Sequence, residues 1–253
     1  MSSISRRTSA LLPVVAVLAL AGCDGGDEKE AETALSRPGE SRPGDCRPIV
    51  VDPGHDSRAN TETEPIGPDS RRRKIKDGGG TRGVVTGTPE HVVTLDISQE
   101  LRRVLEDRGY CVTMTRTRAT GRSMGNVARA RIANRAGAAL FVRIHADGST
   151  DRSRNGTFVL YPAYHRRWTA DILPESKTAA RLIQRDLVRE LGSRDLGIVP
   201  RGDLTGFNWS DVPAVLVEVG YLTNPREDRL LTSRPYQRRA ARGIARGVER
   251  FAP

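Results

Sequence analysis

The sequence predicts an α/β fold: a single domain built on a twisted, mostly parallel sheet with helices on both faces. Three observations carry this. Short apolar runs and longer amphipathic stretches alternate from Pro48 onward, as in a parallel sheet joined by helical crossovers. Ala214 to Val219 is apolar at every position but Glu218, as a central strand buried on both faces would be. About two hundred residues carry this alternation, enough to bury one proper core.

Residues 1–22 read as a processing signal. Arg6 and Arg7 form a basic start, and Leu11–Leu20 is an apolar run too short to span a bilayer comfortably. The run ends in Leu20-Ala21-Gly22-Cys23, which resembles the lipobox of bacterial lipoproteins. The resemblance implies cleavage before Cys23, diacylation of its sulfur and a stable membrane anchor. Residues 23–46 are then the lipidated cysteine and a tether, poor in apolar residues and rich in Gly, Glu, Asp, Pro and Ser. Residues 47–253 are the folded domain, expected to be a monomer held outside the cytoplasm and facing the cell wall. No second hydrophobic stretch suggests a transmembrane helix, and no internal repeat is present.

Within the domain, Ile49–Asp52 reads as a strand and residues 56–87 as a long polar loop. That loop carries Arg71-Arg-Arg-Lys74 and is open to reading as a lid, a contact with an anionic surface or a solvated segment. Thr88-Pro89 resembles an N-cap followed by proline at the first helical position. Val93, Ile97, Leu101 and Leu105 then mark an amphipathic helix, stopped by Gly109. Cys111–Thr115 is a strand. Ser123 is expected to cap a helix through Val127, Ala130 and Ala133 that Gly137 ends. Ala139–Ile144 and Gly156–Tyr161 are strands. Residues 175–191 form a helix with Gly192 as its C-cap. Ala214–Val219 is the last strand, and Pro235–Phe251 the last helix.

The formal net charge is +10, falling to +8 without Arg6 and Arg7. Such a surface outside the cytoplasm favours anionic wall polymers or lipid headgroups, and the export signal argues against nucleic acid. A preference for Arg over Lys also follows from a GC-rich genome, so the charge carries little weight alone. With Cys23 assigned to lipid, Cys46 and Cys111 each stand at a strand entrance. Parallel neighbouring strands would set their sulfurs level, and an oxidising compartment permits a bridge. Two buried free thiols are the alternative.

His55, Glu90, His145 and Glu218 are the candidate functional residues, since each lies at an edge of an apolar run or helix. Two His and one Glu can hold Zn²⁺ with a position left open, and a further Glu can shuttle protons. Taken singly, His55 reads as a turn histidine, His145 as a structural one and Glu90 as a helix-capping charge. Glu218 is different, because a carboxylate inside a Val-rich strand needs a partner. A buried ion pair with an arginine would also satisfy it. Asp147 stands where it can orient a ligand histidine or merely make a turn. His91 points about 100° away from Glu90 on a helix, and His165 lies in a polar stretch.

Four segments together reach a family. Ile49-Val-Val-Asp-Pro-Gly-His55, Pro89-Glu90, Ile144-His-Ala-Asp147 and Val217-Glu-Val-Gly-Tyr-Leu-Thr-Asn-Pro225 resemble the zinc-dependent N-acetylmuramoyl-L-alanine amidases of the amidase_3 type. The likeness covers about residues 47–252. Arg201–Trp209 is similar to the stretch before the last strand in actinobacterial members. The resemblance implies a phosphorylase/hydrolase-like domain with Zn²⁺ on His55, Glu90 and His145 and Glu218 as general base. The implied substrate is peptidoglycan, cut at the amide between N-acetylmuramic acid and the stem-peptide L-alanine. Asn208 and Arg143 are candidate substrate contacts, and Arg143 stands where relatives commonly carry a small residue. A non-catalytic wall-binding or activating lipoprotein and a zinc carboxypeptidase are the competing readings.

Overall fold

A computed structural model describes residues 46–253 except Thr120. The signal, Cys23 and the tether through residue 45 lie outside the described residues. Among the described residues, no helix is long and apolar enough to cross a membrane.

Six strands form the central sheet. They are β1 (Pro48–Pro53), β4 (Cys111–Met114), β5 (Leu140–Asp147), β6 (Thr157–Pro162), β7 (Asp195–Arg201) and β8 (Ala214–Tyr221), in the order β4-β1-β5-β8-β6-β7. The first four in that order are parallel. β6 runs antiparallel to β8, and β7 is parallel to β6. β8 is buried at all eight positions, which explains its near-continuous apolar run. β7 went unseen in the sequence because Gly197 and Pro200 interrupt it. Only a strand at a sheet edge tolerates such residues.

Strand parity divides the core in two. Ile49, Val51, Leu140, Val142, Val215 and Val217 face α1 (Glu90–Glu106), α3 (Leu173–Leu191) and α6 (Arg234–Phe251). Val50, Phe141 and Leu216 face α2 (Asn126–Arg135) and the one-turn α4 (Thr205–Asn208). Helices cover both faces, as expected, but unevenly. Three long helices lie on the first face and two short ones on the second. The side chains of Asp52, Arg143, His145 and Glu218 share the parity of this thinly covered face. A short α5 (Pro225–Leu231) follows β8, with the Asn224 side chain accepting from the N–H groups of Arg226 and Glu227.

Three local expectations are corrected. Residues 56–87 are not one loop, since β2 (Asn60–Pro65) and β3 (Arg73–Asp77) pair as an antiparallel hairpin. Its polar sequence hid it, because most of its side chains face solvent. Ser123 does not cap α2. The cap position is Gly125, and the buried carboxylate of Glu64 accepts from the N–H groups of Asn126 and Val127 at 2.7 and 3.1 Å. A carboxylate from another element thus occupies the positive end of the helix. Thr88 is likewise displaced from its capping role: Pro89 is the N-cap of α1 and Glu90 its first residue.

Cys46 and Cys111 are bonded, with Cα atoms 5.5 Å apart. β1 and β4 are parallel neighbours with Pro48 opposite Cys111, so the strand entrances adjoin. Closing a separation of 65 residues restricts the unfolded chain by on the order of 4 kcal/mol.

Asp52 is fully buried at the end of β1. Its carboxylate accepts from Arg129 at 2.5 Å, Arg143 at 2.8 Å and the Thr115 hydroxyl at 2.5 Å. Burial pushes its pKa up, but the two guanidiniums and the hydroxyl outweigh this and hold it well below the usual carboxylate range. Asp52→Asn therefore leaves two buried cations without a counter-charge and is expected to cost about 3–5 kcal/mol in denaturant unfolding at neutral pH. Because the folded-state pKa is depressed, the stabilisation is complete above the unfolded value of about 3.9 and is lost as pH falls below it. The gap between wild type and variant should accordingly narrow below about pH 4 and stay constant above it.

Candidate active site

The four candidate residues meet at one edge of the sheet. His145 and Glu218 are register partners on β5 and β8, so their side chains emerge side by side on the thinly covered face. β1 feeds His55 to the same edge through the turn Asp52-Pro53-Gly54. His55 takes a left-handed backbone (φ 58°), which costs a residue with a side chain roughly 1–2 kcal/mol. Two buried arginines fasten the turn. Arg129 donates to the carbonyls of Pro53 and His55 at 2.8 and 3.0 Å. Arg116 donates to Pro53, Gly54 and His91 at 3.2, 2.8 and 2.9 Å, tying the turn to α1. Glu90 opens α1 with its N–H on the Thr81 carbonyl. Its Oε2 accepts from the Thr81 N–H at 2.9 Å and its Oε1 from the Ala146 N–H at 3.2 Å.

His55 Nε2 lies 3.2 Å and His145 Nδ1 3.1 Å from Glu90 Oε1. One ligand atom from each of these three residues falls within 4.8 Å of the others. Ligands about 2.0–2.1 Å from a tetrahedral ion lie about 3.3 Å apart, so this donor set has the dimensions of a metal site. Its charge agrees. Glu90, Glu218, Asp147 and Asp77 surround two imidazoles, and the buried Glu218 Oε2 has no hydrogen-bond partner. The residues fit a divalent cation of the zinc type.

The electrostatics follow from burial and neighbours. Burial works against a proton on His55, but the hydrogen bonds its ring donates to the Asp77 and Glu90 carboxylates, and their negative charges, outweigh it and raise the imidazole to about 10. Burial favours neutral Glu90, yet hydrogen bonds and charge from His145 and His55 hold it well below the carboxylate range. Burial lowers His145. Glu218 is pushed well above its ordinary value, first by burial and then by Glu90 and Asp147. Its other strand neighbour is Phe158 of β6, so one flank of the carboxylate is apolar.

All four residues line an open cleft of about 520 Å³, continued by Asp147, Gly148, Ser149, Thr150 and Thr223. The remaining candidates go elsewhere. Arg143 does not reach Glu218 as a pair, because its guanidinium donates to Asp52 and to Asn126 Oδ1 at 2.8 and 2.7 Å and is 4% exposed. Asn208 is 2% exposed and donates to the carbonyls of Ile66 and Gly202, tying α4 to the segment after β2. Neither lines this cleft; both make scaffold contacts, and Arg143 also lines a smaller adjoining pocket with His55 and His145. Asp147 lines the cleft but accepts from Gly148 N–H. His165 stacks on Trp168 at 3.7 Å.

Sequence reasoning missed Asp77, at the end of β3, whose Oδ1 lies 2.5 Å from His55 Nδ1. It also missed the clamping arginines and two glycines. A Cβ on Gly54 would stand 2.5 Å from the His145 ring, and one on Gly80 2.8 Å from both Glu90 and His55. Nothing local marks these residues, since Asp77 precedes a plain glycine run and the arginines are two among many.

A family model described as "Amidase_3: N-acetylmuramoyl-L-alanine amidase" matches residues 49–250. The chain is 29% identical over 259 residues to N-acetylmuramoyl-L-alanine amidase AmiC of Neisseria meningitidis, covering 87% of this chain and 56% of that protein. It thus spans little more than half of that relative. It is 27% identical over 289 residues to N-acetylmuramoyl-L-alanine amidase AmiA of Salmonella typhimurium, covering 98% of this chain and 92% of that one. Among solved structures, Ami1 from Mycobacterium smegmatis superposes with a TM-score of 0.73 at 27% identity, over 81% of this chain and 96% of its own.

The flush contact of Gly54 with the His145 ring makes a direct prediction. Gly54→Ala should displace that imidazole and weaken divalent-metal binding at least about tenfold while the far-ultraviolet circular dichroism stays that of the parent. Titration against a chromogenic chelator reads the affinity.

Proposed function

The chain belongs to the Amidase_3 family of N-acetylmuramoyl-L-alanine amidases, and on that premise we propose that it hydrolyses the amide joining N-acetylmuramic acid to the L-alanine of the peptidoglycan stem peptide, with zinc held by His55, Glu90 and His145. The observation that carries this reading is the pairing of His145 with Glu218 in parallel register, under an edge where His55 and Glu90 close on the same point.

A zinc ion bound there supplies Lewis acidity, which acidifies water and polarises an amide carbonyl. The chain's own residues supply the rest. Glu218 removes the proton of the attacking water and delivers it to the departing amine nitrogen. Burial and neighbouring carboxylates keep it basic, and a cation in the site draws its pKa back toward neutrality. Glu90 is locked against Thr81 and Ala146, and the arginine-clamped turn fixes His55, so the ligands need little rearrangement. The polar wall at Gly148–Thr150 and Thr223 offers backbone and hydroxyl groups to a peptide. The open cleft suits a polymer that must lie across it rather than enter it.

The same reading places the mature chain outside the cytoplasm as a monomer, anchored by a diacylated Cys23, with residues 23–46 as tether and 47–253 as catalytic domain. Support for the anchor comes from the Leu20–Cys23 motif. The exposed Arg71-Arg-Arg-Lys74 at the hairpin is then suited to anionic wall polymers.

Mass analysis of purified wall after incubation with the protein tests the reaction. Intact free stem peptides are expected. Loss of only a terminal D-alanine would indicate a carboxypeptidase, and no change a binder. Elemental analysis should find one zinc per chain. Glu218→Gln should keep that zinc and lose at least about a hundredfold in turnover; undiminished turnover would remove Glu218 from the mechanism.

A further inference from the structure

We infer that Asp77 is a positioning residue for His55: the hairpin β2–β3 carries a carboxylate that fixes the tautomer and rotation of one metal-ligating imidazole. The inference rests on the metal reading above and adds to it a role for the hairpin β2–β3.

The geometry is specific. Asp77 Oδ1 lies 2.5 Å from His55 Nδ1, and the other ring nitrogen, Nε2, faces Glu90. With Nδ1–H donating to a carboxylate, the lone pair of Nε2 is left to point at the ion, and the ring becomes a stronger donor. The Asp77 side chain is 5% exposed, so its charge acts with little screening. The carboxylate is itself held, since the Gly79 N–H donates to the same Oδ1 at 2.9 Å. The other two ligands need no such partner. Glu90 is fixed by two backbone N–H groups, and His145 lies flat against Gly54. His55 alone sits past its strand, on a left-handed backbone, where nothing in β1 sets its ring torsion.

The hairpin is built to hold Asp77 still. At its other end Glu64 grips the start of α2, and Asn126 of that helix donates to the Lys76 carbonyl at 2.7 Å, beside Asp77. β3 is thereby pinned one residue from the carboxylate that matters.

Zinc affinity of the full chain, measured by chelator competition, tests the inference in wild type, Asp77→Ala, Asp77→Asn, His55→Ala and the hairpin control Glu62→Gln. Asp77→Ala is expected to bind zinc about 10–100-fold more weakly. Asp77→Asn keeps an acceptor oxygen of the same shape, so it should fall between, and it stands in should the alanine variant not fold. Glu62→Gln removes only an exposed pair with Lys76 and Arg122 and should match wild type. For Asp77→Ala, kcat should recover at saturating zinc with KM for wall fragments unchanged, a rescue that a merely structural defect would not give. Nitrogen-15 imidazole spectra of the zinc-loaded chains should show a slowly exchanging, strongly hydrogen-bonded His55 Nδ1–H in wild type and a rapidly exchanging one in Asp77→Ala. Zinc affinity of both Asp77 variants within twofold of wild type, with His55→Ala abolishing binding, overturns the role of Asp77 and leaves the metal site standing. A wild-type chain that takes up no stoichiometric zinc overturns the metal site itself, and the inference with it.

Discussion

One buried carboxylate organises this molecule. Asp52 draws Arg129 and Arg143 into the interior, and neither guanidinium could lie there uncompensated. Once there, Arg129 has donors left over, which it gives to the Pro53 and His55 carbonyls. Arg116 completes the clamp from the other side of the turn. The left-handed backbone of His55 is therefore held by contacts that originate in the core. A candidate ligand that would otherwise ride on an unsupported turn is built into the sheet edge.

Strand parity does the second half of the work. With side chains alternating between faces, the charge-bearing positions of β1, β5 and β8 all fall on the side covered by α2 and α4. The longer helices take the other side. This division leaves a dry, well-packed layer beneath the site and an open cleft above it. Glu218 lies at the boundary, with the β8 interior behind it and Phe158 beside it. That position is what raises its pKa, so the proton affinity of this carboxylate and the packing arrangement have one cause.

The basic composition has a different meaning from the one that charge alone suggests. Part of it is surface, as on the hairpin. Part is interior: Arg116, Arg129 and Arg143 are each under 10% exposed and spend their donors on backbone carbonyls and Asp52. A count of charges does not separate these uses, because the distinction is whether a guanidinium finds enough fixed acceptors to leave water.

The sequence by itself determined the layered α/β class and the order of the main elements, and it singled out His55, Glu90, His145 and Glu218 as the candidates that the fold brings to one cleft, because these features are encoded locally. Apolar periodicity marks buried strands and helices, and polar residues at the ends of apolar runs mark the edge of a parallel sheet. Only the tertiary structure decided the reversal of β6 and β7, the hairpin inside residues 56–87, the capping of α2 by Glu64 and the contacts of Asp77, Arg143 and Asn208. Each of these depends on a partner dozens of residues away: 22 between His55 and Asp77, 62 between Glu64 and Asn126, 91 between Asp52 and Arg143. A single side chain carries no mark of which distant group will satisfy it, so what a polar residue does is settled only when the fold brings its partner within hydrogen-bond reach.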